Sequence, residues 1–365
     1  MKWSFKLGTF AGIGVYVHAT FFLLIFWLVA TSWLHGQGVA AAAAGVIFML
    51  AIFACVVLHE FGHALAARKF GIKTRDITLL PIGGVARLER MPREPLQELW
   101  VALAGPLVNV VIAAGILTWL ALTAALPQGS GLSATAGPFA VRLLVANVFL
   151  VAFNMIPAFP MDGGRVLRAL LATRLDYTRA TQIAAVLGQG IALLFGFAGI
   201  FGGNPMLLFI ALFVWIGAEQ EASLTQIRSA LGGIPVARAM VTDFRTLAPD
   251  DPLERAVELI LTGSQQDFPV VLADAVVGVL TRTDLLRALA QQGRDARVEA
   301  VMQREFQVVD PAEMLEGVFA RFQECQCRTL PVVRQGRLVG IITMDNVGEL
   351  LAIQAALAGR KKAWA

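Results

Sequence analysis

The sequence predicts a polytopic α-helical membrane protein of about six transmembrane helices, followed by a separate α+β module present in two copies. Three observations predict this. The 365 residues are 57% hydrophobic and only 15% charged, where an ordinary soluble protein carries roughly 25% charged residues. Long apolar runs fill residues 1–222, while residues 223–365 intersperse Asp, Glu and Arg as a soluble domain does. Finally, the second half aligns with itself at a fixed offset.

A membrane-crossing helix needs about 20 apolar residues, and runs of that kind lie near 17–34, 39–66, 98–126, 138–157, 181–203 and 205–222. The apolar stretch after Lys2 and Lys6 continues past any small-residue cleavage site, so it reads as a retained first helix. "GGNP", residues 202–205, is a tight turn. Charge sorts the connections. The loop after the second run holds Arg68, Lys69, Lys73, Arg75, Arg87, Arg90 and Arg93, and the loop after the fourth holds Arg165, Arg168, Arg174 and Arg179. Residues 35–38, 127–137 and 202–204 hold no Lys or Arg. By the positive-inside rule, both termini and the basic loops are expected in the cytoplasm of a multi-pass cell-membrane protein. These juxtamembrane positions also account for the net charge of +4 without a nucleic-acid partner. Cys55, Cys325 and Cys327 make no disulfide framework and read as reduced, structural residues.

The second run ends in "CVVLHEFGHALAARKF", residues 55–70. HEFGH puts His59 and His63 four residues apart on one helical face, with Glu60 about 100° to the side. Two imidazoles so placed suit Zn²⁺, and the glutamate suits general-base activation of water. Ionisable groups inside an apolar span favour this reading over a pair of buried histidines bonded to carbonyls. A hydrolytic zinc site wants a third protein ligand. His35 falls at the opposite end of the spans. In "NMIPAFPMDGGR", residues 154–165, the fourth run breaks at Pro157 and Pro160 and delivers Asp162 on the same side as the histidines. Irregular backbone at membrane depth belongs where it is buried in protein or lines a cavity. Asp162 also reads as a helix N-cap, and His18 is the reserve ligand.

HEFGH, "AGPLVN" (104–109) and "NMIPAFPMDGG" (154–164) together resemble the site-2 protease family of intramembrane zinc metalloproteases, peptidase family M50, over residues 1–222. The resemblance implies His59, His63 and Asp162 as zinc ligands, Glu60 as catalytic base and Asn154 as a substrate-backbone contact. It further implies that "TLLPIGGVARL", residues 78–88, is a strand or hairpin near the site. Gly83 and Gly84 would then offer an edge to an unwound substrate, although an ordinary turn explains the two glycines equally well. Asn109 serves helix packing as readily as chemistry.

Residues 240–285 overlie themselves at an offset of 62 without a gap: Met240 on Met302, Pro249 on Pro311, "FPVV" on "LPVV" and "GVLT" on "GIIT". This resembles a tandem pair of cystathionine β-synthase (CBS) domains, with residues 223–235 as linker, 236–292 as the first copy and 293–365 as the second copy and tail. The family's adenine-nucleotide contacts map to Thr281 and Asp284. The second copy departs from the pattern with Thr343 and Asn346, and Thr-x-x-Asp is equally an N-cap. The resemblance implies a homodimer with a cytoplasmic CBS pair, a membrane-anchored protein substrate and one Zn²⁺ per chain. The whole then reads as a zinc metalloendopeptidase that cleaves transmembrane segments and is regulated through the CBS pair. The alternative is a CBS-gated transporter or channel using the same residues as a permeation site.

Overall fold

The computed structural model describes residues 3–36, 38–81, 83–89, 91–92, 94–123, 137–325 and 327–362. The chain packs as two units, Met1–Ser223 and Leu224–Ala365.

The first unit opens with a hairpin, β1 (Ser4–Phe10) and β2 (Ile13–His18), before α1 (Thr20–Leu34) begins. The expected first helix therefore starts at Thr20 and not at residue 17. Ile13, Val15 and Val17 are buried while their neighbours are not, the alternation of a strand with one face on a core. α2 (Gly38–Lys69) follows, then β3 (Thr74–Leu80) and β4 (Gly83–Leu88). The strands form one sheet ordered β1-β2-β3-β4, with β2 and β3 parallel and the other pairs antiparallel. One face of the sheet packs on α1 and α2: Val17 and Leu79 join Phe21, Met49 and Phe53, and Ile13 and Ile77 join Ala64. The sheet is thereby seated along the helix that carries HEFGH.

α3 (Pro95–Leu122) starts with proline at a position where its missing N–H costs nothing. Then come α4 (Phe139–Asn154), α5 (Asp162–Ala172), α6 (Tyr177–Phe201) and α7 (Pro205–Leu231). Each of the six apolar runs contains a helix. Four of them, α2, α3, α6 and α7, are long and apolar enough to cross a membrane among the described residues, and α1 and α4 are shorter apolar helices. The count of long helices is thus four, against the expected six spans, because hairpin residues take up the start of the first run and the proline-rich break shortens the fourth.

Between α4 and α5 the chain is irregular, with Pro157 and Pro160 exposed and the residues between them buried in protein. Ala158 and Phe159 are fully buried, and the Ala158 and Met161 N–H groups donate to the Ile156 and Ala158 carbonyls at 2.7 and 3.0 Å. Arg168 and Arg165, counted from the sequence among loop cations, lie on α5. The Arg168 side chain is buried, donates from Nε to Glu98 Oε1 on α3 at 2.7 Å, and pairs through a terminal nitrogen with Glu221 on α7. Its guanidinium lies 5.0 and 4.9 Å from the Phe159 and Tyr177 ring centroids. One side chain thus ties α5 to α3, α6, α7 and the irregular segment.

The second unit repeats one pattern. α8 (Leu253–Thr262), β5 (Phe268–Leu272), β6 (Ala275–Leu280) and α9 (Arg282–Gln292) recur as α10 (Leu315–Cys325), β7 (Thr329–Arg334), β8 (Arg337–Thr343) and α11 (Met344–Lys362). The bulges fall at Val270/Val271 and Val332/Val333, again 62 apart. The copies also exchange bridges reciprocally: Val241 pairs with Ile341, and Gln303 pairs with Val279. That is the signature of a pseudo-two-fold pair. The residues read as a linker, 223–235, hold the end of α7, and Leu231 is buried in the core of the second copy. Cys325 and Cys327 are paired as a disulfide, where the sequence reading expects free thiols, while Cys55 is free and buried.

Candidate metal centre

α2 sets His59 and His63 one turn apart with their ring centroids 4.8 Å from each other. Asp162 is the first residue of α5, where the positive end of the helix favours a carboxylate. The structure brings these three together: His59 Nε2, His63 Nε2 and Asp162 Oδ2 stand 3.1 Å from one another. All three side chains are buried, and among the described residues they form the one cluster of His, Cys, Asp and Glu suited to hold a metal ion. His18 is not in it; its Nδ1 lies 2.8 Å from Thr20 Oγ1.

The outer nitrogens of both rings are engaged, which fixes their protons. His63 Nδ1 is 2.7 Å from the Val101 carbonyl, which can only accept, so Nδ1 carries a hydrogen and, in the neutral ring that a metal requires, Nε2 carries the lone pair. For His59 the same conclusion follows through a relay. The Leu143 carbonyl accepts from Asn147 Nδ2 at 2.9 Å, Asn147 Oδ1 accepts from Asn109 Nδ2 at 2.8 Å, and Asn109 Oδ1 therefore faces His59 Nδ1 at 2.6 Å as acceptor. With both rings neutral and Asp162 ionised, three lone-pair atoms face one another across a buried gap, an arrangement that repels unless a proton or a metal cation lies among them. The spacing fits a metal. At ordinary Zn–N and Zn–O distances the edge of a tetrahedral face is about 3.3 Å, close to the 3.1 Å observed.

Gly105 on α3 is required beneath the imidazoles, since a Cβ there would stand 2.2 Å from His63 Nε2. Arg165 places NH1 3.8 Å from Asp162 Oδ1, the carboxylate oxygen turned away from the histidines. Glu60 lies beside the trio and accepts at Oε2 from the Ala86 N–H of β4 at 3.0 Å. Gly83 and Gly84 begin that strand, and the segment is a hairpin with β3. Asn154 ends α4 and donates from Nδ2 to the Leu150 carbonyl at 3.0 Å, outside the three-atom cluster. The sequence reading missed Asn147, the Val101 carbonyl and Gly105. Asn147 does carry a signal, as an amide inside an otherwise apolar run.

In the second unit, Thr281 and Thr343 each cap the following helix, accepting from the Asp284 and Asn346 N–H groups at 3.2 and 3.1 Å. A cavity of about 530 Å³ is lined by Asp267, Thr281, Phe306, Arg328 and Thr329 among others, and Asp284 is not one of its lining residues. Asp284 instead receives Thr281 Oγ1, Gln303 Nε2 and Arg287 NH1.

Comparison with known proteins agrees with both units. The model of peptidase family M50 matches residues 47–134 and 123–196, and that of the CBS domain matches 236–291 and 298–352. The chain is 31% identical to the zinc metalloprotease MJ0392 of Methanocaldococcus jannaschii over 353 residues, 97% of each protein. It is similar to the solved site-2 protease from the same organism, with 37% identity, 60% of this chain and 95% of that one covered, and a TM-score of 0.46. The CBS domain pair of protein MJ0100, solved with 5'-methylthioadenosine and S-adenosyl-L-methionine, is 22% identical over 33% of this chain and 98% of its own, with a TM-score of 0.31. A buried trio of two imidazoles and a carboxylate spaced for zinc, set among apolar helices and followed by a CBS pair, places the chain in peptidase family M50 as a membrane zinc metalloprotease of the site-2 protease type.

Proposed function

We propose that the protein is an intramembrane zinc endopeptidase that cuts a transmembrane segment of a membrane-anchored protein near its cytoplasmic end. The observation that carries this reading is the mutual 3.1 Å spacing of His59 Nε2, His63 Nε2 and Asp162 Oδ2 with both outer ring nitrogens committed as donors. His59, His63 and Asp162 would hold Zn²⁺, which would supply the Lewis acidity that makes water a nucleophile at neutral pH. Glu60 takes the proton from the attacking water and returns it to the departing amine, so that one C–N bond breaks and one C–O bond forms. The substrate helix must unwind to expose its peptide bond. Gly84 on β4 takes up its freed backbone groups together with Asn154 at the end of α4, while Gly83, one residue out of phase, turns its main chain toward Leu80 of β3. Hydrolysis also distinguishes this reading from metal-dependent transport, since family M50 is a peptidase family and transport gives Glu60 no role.

The remaining proposals concern the whole chain. Counting the shorter α1 and α4 as crossings gives six spans with both termini and the CBS pair in the cytoplasm. The CBS cavity takes an adenine nucleotide, with Thr281 at its wall and Asp284 exchanging its present bonds for the ribose, and the pair forms the homodimer contact. The central test is Glu60→Gln: it keeps one zinc per chain and loses about 10²–10⁴-fold in turnover, while Asp162→Ala loses zinc as well. Wild-type-like cleavage by Glu60→Gln would sink the assignment.

A further inference from the structure

β4 is an outer strand of its sheet, paired only with β3 among the described residues. The pairing is regular from Gly83 to Ala86, which lie opposite Leu80, Leu79, Thr78 and Ile77 in turn. In such a ladder successive residues point their main-chain groups alternately at the partner strand and away from it. Ala86 gives its N–H to Glu60 Oε2 at 3.0 Å, so Ala86 faces away from β3, and Gly84, two residues earlier, does the same. Nothing stands between Gly84 and the base: a Cβ on Gly84 would lie 2.8 Å from Glu60 Cγ and 3.0 Å from Val56 Cγ1. The free edge thus offers the Gly84 main chain directly beside Glu60, and the next outward N–H along the strand is already committed to the base.

We propose that Ala86 is a positioning residue whose backbone N–H aims Glu60 and, being committed, ends the ladder that an extended substrate makes on β4. This rests on the proteolytic reading above and adds to it a register. A glutamate has three rotatable bonds, and a charge-assisted hydrogen bond to one carboxylate oxygen immobilises it while the other oxygen stays available for the proton of the attacking water. Substrate backbone paired at Gly84 then carries its next peptide bond past the Glu60 carboxylate. One strand both holds the substrate and orients the base.

The test uses full-length protein in lipid nanodiscs with a fluorogenic transmembrane reporter. Ala86→Pro removes the N–H and is compatible with an edge strand whose N–H points outward; Ala86→Gly retains it. An amide-to-ester exchange at residue 86 replaces only the N–H by oxygen. The expected result is one zinc per chain in every variant and a kcat lower by about 10–100-fold in the proline and ester variants, from the loss of one hydrogen bond to a charged group. KM stays within about threefold and Ala86→Gly behaves as wild type. If the proline variant fails to retain zinc, the ester variant decides alone. An ester variant with kcat within about twofold of Ala86→Gly, or with its loss entirely in KM, overturns the role of Ala86 while intact wild-type turnover leaves the peptidase reading standing. Absence of chelator-sensitive turnover in the wild type would instead remove that reading itself.

Discussion

His59 owes the direction of its lone pair to residues far away in the chain. The Leu143 carbonyl orients Asn147, Asn147 orients Asn109, and Asn109 holds the His59 Nδ1 hydrogen. Outer partners of this kind tune metal affinity by about 10–100-fold. Asn109→Leu is therefore expected to weaken zinc binding by that factor, measured by competition with a chelator, and Asn147→Leu to do so to a smaller extent because Asn109 keeps its place and loses only its orientation. Equal affinity in Asn109→Leu and wild type would show that the relay is packing alone. The HEFGH spacing makes the two imidazoles legible in the sequence, since four residues is one turn of helix. Asn109 is ambiguous there and Asn147 is easily passed over, because an amide's partner is set by which helices pack together.

At the scale of elements, α5 decides whether Asp162 reaches the histidines, and α5 is held by Arg168. Its partners Glu98 and Glu221 come from α3 and α7, and the Arg168 and Glu98 side chains are almost wholly removed from solvent. Removing one partner of a buried pair leaves an uncompensated charge and costs about 3–5 kcal/mol. Arg168→Met is expected to lower the midpoint of thermal unfolding and to weaken zinc binding together, whereas Arg168→Lys keeps the charge, loses the planar fork and falls between. Unchanged unfolding in Arg168→Met would remove α5 anchoring as the reason for the buried arginine. From the sequence this arginine counts as a loop cation, since charge composition cannot distinguish a solvated guanidinium from a buried one. The β1–β2 hairpin is legible yet easily overlooked: Ile13, Val15 and Val17 alternate with period two, a strand signal that a count of consecutive apolar residues absorbs into a helix.

For the whole molecule, the duplication visible as a 62-residue offset becomes a pseudo-two-fold pair in which Asp267 and Thr329, equivalent positions, share a 2.8 Å hydrogen bond. A ligand that binds the folded pair stabilises it by mass action. One of ATP, ADP or AMP at about a hundred times its dissociation constant is expected to raise the unfolding temperature of the full-length protein, and Thr281→Ala to reduce that rise. No shift with any of the three would leave the pair as an assembly module. The sequence alone determined what periodicity and spacing determine: apolar runs, the HEFGH turn, the irregular stretch ending at Asp162, and the repeat. Only the tertiary structure decided that Asp162 and not His18 meets the imidazoles, which ring nitrogens carry hydrogen, and that the Ala86 N–H meets Glu60. Those depend on distances between segments 26 to 103 residues apart, and such distances arise from packing, which no local pattern encodes.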